Sequence, residues 1–470
     1  MKNLYRLSLL AGACLSVGTI ASAQAAPKRP AKTPVAAAAA ASAHEAELMQ
    51  RLDKLSSELE KVKAQLADLK QQVATTSAPQ AVAATPVQAT APVAQAAPPV
   101  INGADVAAAN APTSEPATVL GGYGELAYNN YNKDKSKNEA DVRRFVLAIQ
   151  HRLDAKTKIV SELEVEHSVS SKDDVGEIEV EQAYAERQLS NQWALRAGLF
   201  LMPAGLLNEN HEPTAYYGVE RNFVETAIIP STWREGGVQF VGNLDNGLTV
   251  QGGLSTGFKI NADKWGFENS ETADSPLRAV HQEMSQASAK EPAVFAAVNW
   301  RGVPGLLLGA SWFSGNAQQD KTTAPGQGLH VTLWDLHARY TIGGLDLSTL
   351  YARGTIGGTT GINTANIGSG PDWYPIPKSF DGAYVQAAYK VWSSDDLSLS
   401  PFARVERFNT RKSFADLGEG LTPDAAPAEQ VYTLGANFNV GQGLVFKVDV
   451  QRFKQDKDSN RFDLGMGWSF

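Results

Sequence analysis

The sequence predicts an all-β fold: a 16-stranded antiparallel transmembrane β-barrel, preceded by a short periplasmic coiled-coil helix and a disordered Ala/Pro linker. Apolar and polar residues alternate with period two over residues 117–470, as they do in strands with two different faces. The connections alternate between tight turns and long loops, which is typical of bacterial outer-membrane barrels. Beyond the N-terminal segment, no apolar run reaches the about 18 residues that a membrane-spanning helix needs.

The first 25 residues have the pattern of a secretory signal peptide. Two basic residues precede an apolar stretch over residues 7–20, and cleavage after Ala23 or after Ala25 suits the small residues equally well. A lipoprotein signal modified at Cys14 is the alternative, but the leucine usual three positions upstream is missing. Because this is the single cysteine, export without disulfides fits an outer-membrane protein better than a small secreted domain.

Residues 44–74 carry a heptad pattern whose apolar positions form one seam at period 3.5. An isolated helix of this length is marginal in water, so self-association is expected. Packing of the helix on its own barrel is the alternative. Residues 75–116 are rich in Ala and Pro and almost uncharged, which indicates a flexible linker. The seam residues are Leu48, Leu52, Leu55, Leu59, Val62, Leu66, Leu69 and Val73.

Sixteen strands are predicted in the remainder of the chain. Because the number is even, both barrel ends lie at one rim, which must be periplasmic since the exported linker lies there. The predicted strands are 119–132, 141–154, 157–170, 176–190, 192–205, 232–244, 247–258, 293–302, 306–317, 328–343, 345–356, 379–392, 398–410, 428–442, 443–454 and 460–470.

Aromatic residues near the predicted strand ends indicate girdles at the two membrane interfaces, although any one of them also suits a core position. They are Tyr123, Tyr128, Tyr131, Trp193, Trp233, Trp300, Trp312, Trp334, Tyr340, Tyr389 and Trp468.

Strand parity predicts that charges of both signs face the lumen, where opposed charges across a narrow channel sort solutes by charge. Neighbour-to-neighbour pairing within the wall is the alternative, equally weighted for Glu164 and Glu179 on adjacent strands. The predicted lumen residues are Arg144, Arg152, Glu162, Glu164, Glu179, Glu181, Arg187, Arg196, Arg301 and Arg339.

The long connection 206–231 is rich in aromatic residues and isoleucine, which indicates that it packs inside something rather than extending into solvent. Folding into the barrel as a constriction satisfies this pattern. Glu209, His211, Glu212, Arg221 and Glu225 would then lie at the narrowest point.

Several motifs cluster in this part of the chain: Gly-Leu-Phe-Leu-Met-Pro-Ala-Gly at 198–205, Asn-Glu-Asn-His-Glu-Pro at 208–213, Glu-Arg-Asn at 220–222 and Ile-Pro-Ser-Thr-Trp-Arg-Glu-Gly at 229–236. With them, the chain from about Gly121 to Phe470 resembles the O/P-type phosphate-selective porin family. The resemblance implies sixteen-stranded trimeric porins whose third loop constricts the channel. The terminal aromatic pattern, with Trp468 and Phe470, resembles the signal read by the barrel-assembly machinery.

These observations predict a homotrimeric porin in the outer membrane of a Gram-negative bacterium, through which small hydrophilic solutes and ions diffuse passively, with room for small anions. A phosphate- or polyphosphate-specific channel is one alternative. The sequence departs from that pattern because glutamates over 157–181 oppose the arginines and no lysine cluster is found. A tether to peptidoglycan through the coiled coil is a second alternative, compatible with a porin.

No enzyme is expected, because the seven histidines are scattered and no serine motif accompanies them. The sequence also indicates no cofactor, no spaced cluster of metal ligands and no nucleic-acid partner. A trimeric autotransporter also joins a coil to a barrel, but a complete barrel in one chain counts against it. The expected partners are two further copies of the chain, outer-membrane lipid, the barrel-assembly machinery, peptidoglycan and the solutes.

Overall fold

The computed structural model describes residues 117–268, 274–319, 328–368 and 373–470, together with four isolated residues, Gln50, Lys54, Ser57 and Lys61. These four are helical and exposed. The predicted signal peptide, the rest of the predicted coiled coil and the predicted linker at 75–116 lie outside the described residues. Within the described ranges, no helix has the length and apolar character needed to cross a membrane.

Sixteen antiparallel strands form a closed barrel in which each strand pairs with its sequence neighbours and β16 pairs with β1. The ends of the predicted strands are shifted by four residues or fewer. The strands are β1 (Ala117–Tyr131), β2 (Glu139–Arg152), β3 (Thr157–Glu166), β4 (Ile178–Gln188), β5 (Trp193–Leu201), β6 (Arg234–Asn243), β7 (Leu248–Ser255), β8 (Ala293–Val303), β9 (Leu306–Asn316), β10 (His330–Ile342), β11 (Leu345–Gly357), β12 (Ser379–Tyr389, continued by Trp392–Ser394), β13 (Leu397–Ser413), β14 (Glu429–Val440), β15 (Leu444–Phe453) and β16 (Arg461–Ser469).

The helices of the described residues are short and lie in the connections. Two are α-helical, α1 (Ala262–Trp265) and α2 (Thr359–Ala365), and one is a π-helix (Val224–Ile228). Single 3-10 turns occur at Lys135–Lys137, Arg278–Val280 and Lys457–Ser459.

Side chains alternate between the barrel interior and its outer surface. In β15, Asp449 and Gln451 are buried, whereas Phe446, Val448 and Val450 are 36–44% exposed. Since successive side chains of a strand point to opposite faces, the polar set faces inward and the apolar set outward. An apolar outer surface and a polar interior are what a barrel surrounded by lipid requires.

The last strand closes the barrel against the first. The backbones of Gly122 and Phe470 exchange two hydrogen bonds of 3.0 and 3.1 Å. The Trp468 ring occupies the space that a Cβ atom on Gly124 would fill, an arrangement that covers a glycine with an aromatic ring. Phe470 itself is 61% exposed on the outer surface. Its role in assembly stays a prediction.

Two of the four register shifts in the barrel, in β2 and β4, change which face a charged side chain occupies. The register shifts opposite Glu125 and opposite Glu162, so Arg143 in β2 and Glu181 in β4 are each an extra residue. Bulges re-aim the side chains that follow them. Beyond the β4 bulge, the prediction that Arg187 faces the lumen is wrong: its side chain is 57% exposed and lies 3.5 Å from Asp154.

An apolar core fills part of the interior on the side of β5 to β12. Phe200, Phe295, Phe313 and Leu350 belong to it, and all are at most 4% exposed. Trp233 is 1% exposed and packs on this core, with its ring 4.9 Å from that of Phe313. The structure therefore places Trp233 in the core rather than in an interfacial girdle. Tyr123, only 4% exposed, also faces inward.

Candidate functional site: a loop folded inside the barrel

Residues 202–233, which connect β5 to β6, form a segment that we call the inner loop. The Gly205 amide donates to Asp335 of β10 (3.1 Å), and the Val219 amide donates to Asp449 of β15 (2.7 Å). Because these strands lie far apart around the barrel, the inner loop crosses the interior. The predicted packing of residues 206–231 inside the barrel agrees with this path.

Asn208 joins the two ends of the inner loop. Its amide nitrogen donates to the carbonyl oxygens of Met202 (2.7 Å) and Trp233 (2.8 Å), and its oxygen accepts from the Trp233 amide (2.7 Å). A short side chain that both donates and accepts is needed here, since the backbone groups are buried and must be paired. The loop therefore leaves and re-enters the wall at one fixed point.

Glu225, fully buried in the π-helix, holds the middle of the inner loop. One carboxylate oxygen accepts from the Leu206 and Leu207 amides at 2.5 and 2.7 Å. The other accepts from the Asn222 amide group (2.7 Å) and from the Tyr384 hydroxyl of β12 (2.9 Å). Four donors on one buried carboxylate tie the beginning of the loop, its helix and the wall together.

Glu220 ties the far side of the inner loop to β1, β2 and β16. Arg143 donates to both of its carboxylate oxygens at 2.6 Å, the bidentate geometry that makes such pairs strong. Asn129 donates to it at 2.9 Å, and Arg461 lies 3.7 Å away. Arg143 faces this carboxylate because of the bulge in β2.

Arg404 of β13 supports the same stretch of the loop from another part of the wall. It pairs with Glu406 at 2.7 Å and donates to the carbonyl oxygens of Tyr217 (3.2 Å) and Glu220 (3.3 Å). Both charged side chains are nearly fully buried. A buried guanidinium is strongly destabilising without a carboxylate partner, so the pair with Glu406 is what allows Arg404 to lie in the interior.

The part of the wall formed by β1 to β4 faces the inner loop and carries several carboxylates. Arg144 lies between Glu125 and Glu164, 3.3 Å from each. His211 of the inner loop places its Nε2 atom 3.7 Å from the carboxylate of Glu181. This wall therefore presents both signs of charge within a few ångströms, which is the arrangement that produces a local field across a lumen.

A second cluster lies closer to the short turns. Arg196 pairs with Glu186 at 2.7 Å, and Lys158 pairs with the same carboxylate at 3.0 Å. The guanidinium also lies 5.3 Å from the centre of the Tyr184 ring, within the range of a cation–π contact. Together these groups form a polar surface on β3, β4 and β5, between the inner loop and the short-turn rim.

The other predicted residues divide between interior and rim. Glu209 accepts from Gln251 of β7 (2.9 Å), Glu162 accepts from Gln182, and Arg339 pairs with Asp346 (2.6 Å). Glu179 pairs with Arg234, and Arg221 donates to Ser231, Thr232 and the His211 carbonyl. Glu212 is half-buried in the inner loop. Arg152 is half-buried near the short turns, and Arg301 is exposed at the short-turn rim.

Several charged residues of the interior were not among the predicted site residues. Arg404 and Glu406 follow the same alternation as Phe402, so parity within β13 was a usable signal. Arg461 and Asp463 are likewise buried in β16 and pair at 3.0 Å. The bulge residue Arg143 had no such signal, because regular parity places it outside.

Comparisons with known proteins give a fold match. No family model matches the chain. It is 26% identical over 384 residues to an uncharacterized protein of Aquifex aeolicus, covering 78% of this chain and 83% of that one. Among solved structures, it is similar to Salmonella typhi OmpF in complex with daunomycin, with 13% identity, 76% and 98% of the two chains covered and a TM-score of 0.52.

Two further solved structures are similar over about the same share of this chain. An anion-selective porin from Comamonas acidovorans has 14% identity, covers 76% of this chain and 100% of its own, and gives a TM-score of 0.46. The outer-membrane channel DcaP of Acinetobacter baumannii has 15% identity, covers 77% and 100%, and gives a TM-score of 0.45. The match to OmpF, with its TM-score of 0.52, shows that the chain has the barrel fold of an outer-membrane porin.

Proposed function

We propose that the protein is an outer-membrane channel through which small hydrophilic solutes and ions diffuse passively. The observation that carries the proposal is a closed barrel, apolar outside, whose interior is crossed by a loop held in place by Glu225 and Glu220. A loop fixed inside a barrel narrows its lumen, and the charges around it determine which solutes pass. The test is single-channel recording of the purified protein in a planar bilayer, where the absence of ion conductance would refute the proposal.

Weak charge selectivity, with room for small anions, is part of this proposal. Interior arginines stand beside carboxylates, as in the pairs Arg144–Glu164 and Arg196–Glu186. A paired guanidinium attracts a passing anion less than an isolated one, because the neighbouring carboxylate cancels most of its field. Reversal potentials in a salt gradient measure this preference. A strongly anion-selective current would show that the carboxylates do not offset the arginines.

A phosphate- or polyphosphate-specific channel is the second candidate, and it rests on the motifs at 198–236. The pairing of interior arginines disfavours it, since phosphate binding there requires displacing a carboxylate from each guanidinium. Conductance in chloride, titrated with phosphate, separates the two candidates. Saturable block at micromolar phosphate would favour the specific channel.

The assembly and the wider partners belong to the proposal as well. We infer a homotrimer, insertion by the barrel-assembly machinery through Trp468 and Phe470, and contact with outer-membrane lipid. A tether to peptidoglycan through residues 44–74 is compatible with a channel. The lack of enzymatic activity stays a prediction.

A further inference from the structure

Three arginines occupy the outer surface of the barrel on alternate strands: Arg353 of β11, Arg407 of β13 and Arg452 of β15. We call them the basic arc. Arg407 and Arg452 are exposed and Arg353 is half-exposed, and in each strand the adjacent interior position is buried. In β13, for example, Glu406 is 1% exposed, while Val405, with the same parity as the arginine, is 50% exposed. The arc therefore points away from the lumen.

The arc lies at one height on the barrel. Counting from the short-turn end of each strand, Arg353 is eight residues beyond Leu345, Arg407 is ten beyond Leu397 and Arg452 is eight beyond Leu444. At about 3.4 Å per residue and a tilt of about 45°, this is roughly 20–25 Å above the short-turn rim. The apolar band of such barrels is about 25 Å tall, so the arc lies at its upper edge.

Aromatic side chains mark the same level. Trp334 and Tyr351 pack with ring centres 5.4 Å apart, and Tyr432 stands directly opposite Arg452 in the register. Aromatic rings of this kind occupy the membrane–water interface. The arc is thus placed where lipid headgroups begin, on the side of the membrane that the long loops face.

The arc makes no direct ion pair in the described parts of the chain, although the carboxylate of Asp381 lies on the neighbouring strand opposite Arg353. None of the three guanidinium groups is in an ion pair with a described residue. Asp381, opposite Arg353 in the register, is instead bonded by Lys412 and by the Tyr351 hydroxyl (3.2 Å). A stripe of unpaired positive charge attracts anionic groups.

The other half of the barrel provides a contrast at comparable heights. There, Val180 of β4 and Val294 of β8 face outward eight and nine residues from the short-turn ends of their strands, and they are 45% and 39% exposed. At this height, β4 and β8 thus carry valine where β11, β13 and β15 carry arginine.

We propose that the basic arc binds the phosphate groups of an anionic lipid in the leaflet that faces the long loops. Alternate strands lie about 10 Å apart, so each guanidinium reaches a separate phosphate oxygen or a separate headgroup. Arginine suits this role because its planar fork matches phosphate in a bidentate geometry. The proposal rests on the barrel lying in the outer membrane but not on its conducting ions.

The test uses the purified full chain in neutral detergent, titrated with lipid A bearing two phosphates and, separately, with the same lipid lacking them. Native mass spectrometry counts the bound lipid. The variant Arg353→Gln/Arg407→Gln/Arg452→Gln should bind the phosphorylated lipid on the order of a hundredfold more weakly, at about fivefold for each basic residue removed. The control Lys156→Gln/Arg187→Gln/Arg301→Gln removes equal charge at the short-turn rim and should bind like the wild type.

Heat-modifiable migration shows which variants fold, and Arg407→Gln/Arg452→Gln replaces the triple variant if that one does not. Equal wild-type affinity for the two lipids would overturn the proposal, as would retained binding by the triple variant. Competition by millimolar inorganic phosphate would also overturn it, because the arc would then be a free-anion site. If the triple variant instead loses an acidic protein partner with its lipid count unchanged, the surface is a protein interface. Conductance, measured in parallel, tests the channel separately.

Discussion

The substitution Glu225→Gln tests whether the inner loop is held by its central carboxylate. Glutamine has the same shape and keeps one oxygen, which still accepts from the Leu206 and Leu207 amides. Its amide nitrogen, however, faces the amide nitrogen of Asn222, so that donor loses its acceptor. The Tyr384 hydroxyl can turn to accept instead, but its bond to a charged oxygen is lost.

The loss is large enough to change the dynamics of the loop. A hydrogen bond to a charged group contributes about 1.5–3 kcal/mol, and leaving a buried donor unpaired costs about 1–3 kcal/mol. We expect Glu225→Gln to weaken the attachment of the loop by about 3 kcal/mol. Because every 1.4 kcal/mol is a factor of ten, the detached population rises on the order of 100-fold. The barrel strands keep their own hydrogen bonds and should remain folded.

The assay is thiol labelling at Val224→Cys in a Cys14→Ser background. Val224 is 0% exposed, so a maleimide reaches this position only when the loop detaches. Labelling should accelerate about 100-fold in Glu225→Gln. In the matched control Tyr384→Phe, which removes one donor to the carboxylate worth about 1.5 kcal/mol, the acceleration should be about tenfold. Equal labelling rates in all three proteins, with heat-modifiable migration unchanged, would show that this carboxylate does not hold the loop.

Three further predictions concern assembly and selectivity. Deleting residues 44–74 should weaken an SDS-resistant trimer, seen on unheated gels, while single-channel conductance stays the same; loss of conductance would make that segment part of the pore. Phe470→Ala should lower the amount of protein in the outer membrane, measured by fractionation and blotting, far more than the conductance of each assembled channel, since the ring lies on the outer surface; normal amounts would contradict the assembly role. Neutralising Arg144 and Arg196 should move the reversal potential toward cations, whereas Glu164→Gln should move it toward anions, and both shifts should shrink as salt shortens the Debye length; no shift in either variant would place these side chains away from the ion path.

The barrel itself was predictable because its signals are local. Alternation with period two is a property of each strand alone, so the sixteen strands could be placed without knowing their neighbours. The alternation of short turns and long loops then indicated that the number of strands is even and that both ends of the barrel lie at the same rim. The composition of residues 206–231, too apolar for solvent, indicated that this loop packs inward before any partner was known.

The partners inside the barrel depend on contacts between distant residues, and parity within one strand does not supply them. A single extra residue in β4 turns Arg187 outward, and one in β2 turns Arg143 inward toward Glu220. A bulge is decided by the pairing of two strands, so regular alternation misses it. Likewise, the bond from Tyr384 to Glu225 joins residues 159 positions apart, and only closure of the barrel brings them together. The sequence by itself thus determined the wall and the direction of the loop, while the tertiary structure decided which charges meet inside it.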